Sequence, residues 1–167
     1  SAATSGTVTS MLPKVYIETT IVSYLTARPS REVVALGHQQ VTRDWWERDR
    51  SDFELYTSEV VIAEAERGDP EAARARLAVL APLSRLSATP ESEAMVPILL
   101  RETGLPVDAL LDMSHISVAT VHGMQYLLTW NCRHIANARI VRIVERICRN
   151  LGFEPPVLCT PDELKGI

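Results

Sequence analysis

Apolar runs along this chain are short, and residues that favour caps and turns separate them. Val15-Tyr16-Ile17 is β-prone and predicts a buried strand, with Thr19-Thr20 behind it available to cap a helix. Pro29-Ser30 interrupts the next segment, and Ser30 is placed to cap a helix over 31–50 with Val34, Val41 and Trp45 on one side. The alternation from Phe53 to Thr57 predicts a second strand, and Ser58 a cap for a helix with Val61, Ile62 and Ala65 inward. Gly68 is a stop. Asp69-Pro70 restarts a helix that covers 72–80, and a short strand over 83–86 comes next. Thr89-Pro90 opens a helix that Pro97 is expected to kink and Gly104 to end. The span 108–122 is apolar around most of its circumference and reads as a central helix stopped by Gly123. A strand over 126–129, an amphipathic helix over 135–151 with Ile140, Ile143, Val144 and Ile147 inward, and a strand over 157–159 complete the pattern. Thr160-Pro161-Asp162-Glu163 has the form of one more helix start.

Strands alternating with helices predict an α/β sandwich around a mostly parallel sheet. In such sheets ligands sit at the carboxyl ends of the strands. Four polar residues stand beside apolar runs: Glu18 after Ile17, Glu64 after Ala63, Asp112 after Leu111, and Asn131 after Trp130. Glu18 and Asn131 close strands and so belong on the ligand side. Polar groups beside buried segments are costly unless compensated. If the fold gathers three carboxylates and an amide, their repulsion calls for a cation, and oxygen ligands favour Mg²⁺ or Mn²⁺.

Composition narrows the options. A chain of 167 residues reads as one domain, and 46% hydrophobic residues rule out general disorder. The net charge of −4 argues against a protein that simply coats nucleic acid, and 5% aromatics argue against a stacking platform for single strands. No apolar stretch is long enough to span a bilayer. Cys132, Cys148 and Cys159 have no zinc or redox spacing, and reduced thiols of a cytoplasmic protein are the simplest reading. Residues 1–10 are small, polar and uncharged. They read as an appended segment ahead of a natural start at Met11.

Four stretches together resemble a known family. Val15-Tyr16-Ile17-Glu18-Thr19-Thr20 looks like the opening strand and acid of PIN-domain ribonucleases. Ser58-Glu59-Val60-Val61-Ile62-Ala63-Glu64 resembles their second acidic motif, and Asp112-Met113-Ser114-His115-Ile116-Ser117-Val118-Ala119 their third. Leu127-Leu128-Thr129-Trp130-Asn131 looks like the fourth, where a strand delivers Asp or Asn. The likeness runs from Lys14 to Leu164 and is closest to the bacterial VapC-like toxins of type II toxin–antitoxin systems. It implies a PIN-like three-layer α/β/α sandwich with four to five strands, over 11–167 as a single domain. It also implies a metal-dependent endoribonuclease: Glu18, Glu64 and Asp112 would hold Mg²⁺ or Mn²⁺ and Asn131 would complete the shell. In-line attack would leave a 3′-hydroxyl and a 5′-phosphate. An RNA substrate, an antitoxin protein that occupies the groove, and a homodimer are the implied partners.

The chain departs from the family at two positions: Glu18 stands where Asp is usual, and Asn131 brings an amide where Asp also occurs. These departures sustain a second reading, a catalytically weak or inactive PIN-like module that offers its acidic groove to a protein partner. Around the acids, Thr19 or Thr20 could hydrogen-bond the attacking water, steady Glu18, or simply cap a helix. His115 could orient Asp112, shuttle a proton, or be a hydrogen-bonded core residue. Arg133 and His134 could touch a phosphate or anchor a loop. Arg67, Arg74 and Arg76 read as a basic cluster, by default a solvated face, with RNA contact as the alternative. Trp45 is expected in the core and Trp46 at an edge.

Overall fold

Five short strands form one sheet in which every pair of neighbours is parallel, in the order β3-β2-β1-β4-β5. The structure is a computed structural model and describes residues 11–166. The appended segment expected at 1–10 lies outside them. Along the chain the elements are β1 (Lys14–Ile17), α1 (Thr19–Thr26), α2 (Val33–Arg48), β2 (Glu54–Ser58), α3 (Glu59–Ala65) and α4 (Pro70–Leu80). Then come β3 (Ser84–Leu86), α5 (Pro90–Thr103), α6 (Leu110–Val121), β4 (Tyr126–Leu128), α7 (Ala138–Asn150) and β5 (Val157–Cys159). The helices pack in two groups, α1 with α2, α3 and α4, and α5 with α6 and α7. This is the α/β/α sandwich the sequence predicts, and its sheet is parallel throughout.

β1 lies at the centre because it is apolar on both faces: Val15, Tyr16 and Ile17 are all fully buried. Its neighbours β2 and β4 are reached by crossovers of opposite sense. The chain moves outward from β1 through β2 to β3, then returns to β4 on the other side. The β1–β4 boundary is therefore the topological switch point, where diverging loops leave a crevice at the carboxyl ends of the strands. Glu18 follows β1 there, its backbone N–H donating to Leu128 O at 3.1 Å, and Thr129 follows β4.

Several boundaries differ from expectation, each for a local reason. The cap of α1 is Glu18, whose carboxylate accepts the Thr20 N–H, and not a threonine. α2 starts at Val33 because Glu32 accepts from Val34 N and Ala35 N at 3.1 and 2.7 Å, while Ser30 Oγ takes only the Glu32 N–H. Val34 is 61% exposed and does not share a buried side with Trp45. α2 buries only Gln39, Thr42 and Trp45, so its first turn has nothing to pack against. α5 continues through Pro97, and a 3₁₀ turn, Val107–Ala109, precedes α6. α7 begins at Ala138 instead of 135. Asn131 O takes the N–H groups of Ile135 and Ala136 in a turn, and Asn137 caps the helix through Arg139 N and Ile140 N. No helix follows Thr160: Glu163 folds back to accept from Thr160 N and Oγ1, both at 3.1 Å. Trp45 is buried as expected, with Nε1 donating to Leu164 O at 2.7 Å, and Trp46 is half-buried under Arg50. Arg76 is not a free surface cation, because its guanidinium binds the carbonyls of Ala65 and Arg67 at the end of α3.

Candidate functional site

At the switch point two carboxylates and an imidazole converge. One ligand atom from each of Glu18, Glu64 and His115 lies within 4.8 Å of the others. Glu18 is almost fully buried at the end of β1, Glu64 lies near the end of α3 with its side chain 24% exposed, and His115 is fully buried on α6. Three separate elements thus deliver the cluster.

The two oxygens of Glu18 have different tasks. Oε2 accepts from Thr20 N at 3.1 Å, Thr20 Oγ1 at 2.5 Å and Thr129 Oγ1 at 2.6 Å. The two hydroxyls are themselves aimed by backbone donors, Trp130 N to Thr20 Oγ1 at 2.8 Å and Asn131 N to Thr129 Oγ1 at 2.9 Å. Oε1 keeps only a 3.2 Å contact with Thr20 N and faces His115 Nε2 at 3.9 Å. One oxygen is saturated by the protein, and the other faces the cluster.

Glu64 Oε1 accepts from Thr19 Oγ1 at 2.9 Å and lies 2.5 Å from His115 Nε2. On the far side of the ring, His115 Nδ1 meets Tyr16 OH at 2.7 Å, and Tyr16 OH meets Ser58 Oγ at 2.6 Å. Ser58 Oγ already accepts from Val61 N at 3.2 Å as the cap of α3. With a neutral ring the donors run in one direction: Val61 N–H to Ser58, Ser58 to Tyr16, Tyr16 to Nδ1, and Nε2–H to Glu64. Each hydroxyl in the chain both accepts and donates, so the buried polar groups are satisfied.

Electrostatics follow from this packing. Burial pushes the Tyr16 phenol well above its ordinary range, which outweighs the lowering from Ser58, so it stays a donor. Burial alone would lower the His115 pKa. The bond to Glu64 and the charges of Glu18, Glu64 and Asp112 outweigh it and hold the imidazole above its usual value. Burial likewise works to raise Glu64, but His115, Thr19 and Arg67 bring its carboxyl below the usual range.

The other sequence-predicted residues form an adjoining layer. Asp112, one turn before His115, is 2.8 Å from His134 Nδ1 through Oδ2. Asn131 turns its Oδ1 to the His134 N–H at 2.9 Å, so its amide oxygen caps the turn after β4. Asp112 and Asn131 are thus coupled through His134, outside the three-residue cluster, and His115 is a buried, hydrogen-bonded residue whose partner is Glu64 and not Asp112. Arg133 is exposed beside this turn. Sequence reasoning missed Tyr16, Ser58 as a network member, and Thr129. The signal available was polar or amphipathic residues at strand ends, but a tyrosine inside an apolar strand reads as core.

The donor set suits a divalent cation. The carboxylates of Glu18 and Glu64 supply negative charge and lone pairs within reach of one point, and both are oriented by hydroxyls as ligating side chains require, while His115, with Nδ1 bonded to Tyr16 and Nε2–H donating to Glu64, holds Glu64 in place. No protein-family model matches the chain, and no curated protein sequence matches it. Solved structures do. VapBC2 from Rickettsia felis, determined bound to a DNA fragment from their promoter, is similar with a TM-score of 0.57. Identity is 17%, over 88% of this chain and 98% of that one. VapC20 of Mycobacterium tuberculosis, a Sarcin-Ricin loop cleaving toxin, is similar with a TM-score of 0.52. Identity there is 16%, over 68% of this chain and 86% of that one. The all-parallel five-stranded sheet and its flanking helices are the PIN-type fold of these VapC structures.

Proposed function

We propose that the chain is a Mg²⁺- or Mn²⁺-dependent endoribonuclease and the toxin of a toxin–antitoxin pair. The observation that carries this is the convergence of Glu18, Glu64 and His115 at the switch point, one acid oxygen left facing the cluster. The VapC-like fold supports the same reading, as does the RNA-cleaving role of VapC20. Glu18 Oε1 and Glu64 would hold the ion, with Asp112 and Asn131 able to join from the adjoining layer. The bound ion supplies Lewis-acid polarisation of the phosphate and lowers the pKa of a coordinated water.

The chain's own groups do the rest. Thr20 and Thr129 hold Glu18, and Thr19 and His115 hold Glu64, so the acids need no reorganisation when substrate arrives. The Tyr16–His115 bond fixes the ring so that Nε2 faces the acids. His115 Nε2 can pass a proton to or from Glu64. His134 bonds Asp112, and with its neighbour Arg133 it would meet an approaching phosphate. A cytoplasmic homodimer silenced by an antitoxin segment completes the proposal.

The test is cleavage of single-stranded and hairpin RNA with Mg²⁺ or Mn²⁺, alongside Glu64→Gln and Asp112→Asn. Metal-dependent cleavage by the wild type that both variants abolish is expected. A folded wild type that cuts no RNA with either ion would refute the assignment in favour of a protein-binding module.

A further inference from the structure

The densest basic feature of this acidic chain is α7. Between 133 and 149 there are five arginines, Arg133, Arg139, Arg142, Arg146 and Arg149, and one acid, Glu145. The four on α7 recur at intervals of three and four residues. At 100° per residue they fall within an arc of about 80° and extend over about 15 Å of helix. All four are exposed, while Ile140, Val144 and Ile147 on the opposite side are buried. Only Arg149 is neutralised, by Glu145 at 3.9 Å and Glu154 at 3.1 Å. Among the described residues, no acid lies within ion-pair distance of Arg133, Arg139, Arg142 or Arg146. Solvating a helix face does not need guanidinium groups left unpaired in one row. The end of α5 and the residue after its cap, Thr103 and Leu105, line one hollow with Arg133 and Arg139, while Glu102 lines another with Arg146, so the near end is the more positive.

The row also has a direction. Its first member, Arg133, precedes His134, which holds Asp112 at 2.8 Å. The stripe therefore starts one residue from the His134–Asp112 pair that adjoins the acidic centre, and α7 carries it onward from there. We propose that Arg133, Arg139, Arg142 and Arg146 form a track for the phosphates of an RNA strand whose scissile bond lies at the acidic centre. This rests on the ribonuclease reading and adds that the substrate is a chain long enough to follow α7. Guanidinium groups suit phosphate through paired N–H donors, and a row of them neutralises a backbone without reading its bases.

The experiment is salt-dependent binding of a labelled single-stranded RNA of about 20 nucleotides in EDTA. Each phosphate neutralised adds about 0.7 to the slope of log affinity against log salt. R139Q/R142Q/R146Q is expected to lower that slope by about 2, with weaker binding at physiological salt. R31Q/R74Q/R85Q, with the same net charge, is expected to leave it unchanged. Circular dichroism verifies the fold of both. In Mg²⁺, the α7 triple variant should raise KM for the long RNA far more than for a dinucleotide.

Equal slopes for both triple variants would overturn the track while leaving the ribonuclease assignment standing. A slope loss confined to the α7 variant, in a wild type that cleaves nothing, would support the track and remove the enzyme. Binding of poly-glutamate but not RNA at α7 would make the occupant an acidic protein segment and overturn the proposal.

Discussion

Tyr16→Phe isolates the buried network behind the acids. The substitution removes one oxygen and keeps the ring, so it leaves no large cavity and little change in packing. What it takes away is the hydroxyl between Ser58 Oγ at 2.6 Å and His115 Nδ1 at 2.7 Å. Ser58 still accepts from Val61 N and loses only one of its bonds. His115 is fully buried, and its Nδ1 has no other partner among the described residues. An unsatisfied buried polar group costs about 1–3 kcal/mol, and the lost Ser58 bond about 1 kcal/mol more. The expected destabilisation is about 2–4 kcal/mol, measured by urea unfolding with an unchanged m value. For a chain of this size that lowers Tm by about 4–16 °C. Ser58→Ala provides the cycle, and the double variant should show a coupling of about 1 kcal/mol, because both changes break the same bond. If Y16F unfolds at the wild-type urea midpoint, the hydroxyl is not satisfying His115 and the directional network from Val61 to Glu64 is wrong.

Thiol reactivity and acid stability test other parts of the molecule. Cys132 is exposed whereas Cys148 and Cys159 are buried, and burial pushes the Cys159 thiol up to about 12. A disulfide-exchange reagent should titrate one thiol in the native protein and three in denaturant. Burial and Glu163 also raise Cys132, so its rate should climb as the solution is made alkaline. Glu32 caps α2 through bonds from Ala35 N and Val34 N that hold its carboxyl below the usual range. A lowered folded pKa means the stabilisation is present above the ordinary carboxylate value and lost as pH falls through the lowered one. The urea midpoints of wild type and Glu32→Ala should therefore differ at neutral pH and converge in acid.

Legibility in the sequence tracked how local each determinant was. Gly104 and Gly123 adopt left-handed φ values of +67° and +71° and end α5 and α6 where the sequence placed stops. Ser58 caps α3 as predicted, and Asp69 and Thr89 cap α4 and α5 where the sequence placed helix starts, each by accepting from the backbone N–H three residues on. Strand order was less legible, since nothing within a few residues of β4 says that it pairs with β1 on the side away from β2. The acids could be named because each ends an apolar run. Their partners could not, because Tyr16 to His115 spans 99 residues and Glu18 to Thr129 spans 111. The α7 arginines were available as a periodicity, but attention to the inward Ile140, Ile143, Val144 and Ile147 left the outward face unread.

Glu18 stands where the PIN-domain family that the sequence resembles usually carries aspartate, and its two oxygens give the longer acid a physical account. An N-cap must bring an acceptor to the first turn of the helix it precedes, and a metal ligand must present a lone pair to the crevice. Glu18 caps α1 from the position just after β1, and under the proposed function it would also serve as the ligand. Oε2 turns to Thr20 and Thr129, and Oε1 remains on the cluster side. The hydroxyls of Thr20 and Thr129 meet the carboxylate at Oε2. Each hydroxyl draws on a backbone N–H from the turn after β4, Trp130 for one and Asn131 for the other. The longer acid is thus matched by donors from the neighbouring strand end, which argues for a site built around glutamate and against one eroded by its arrival.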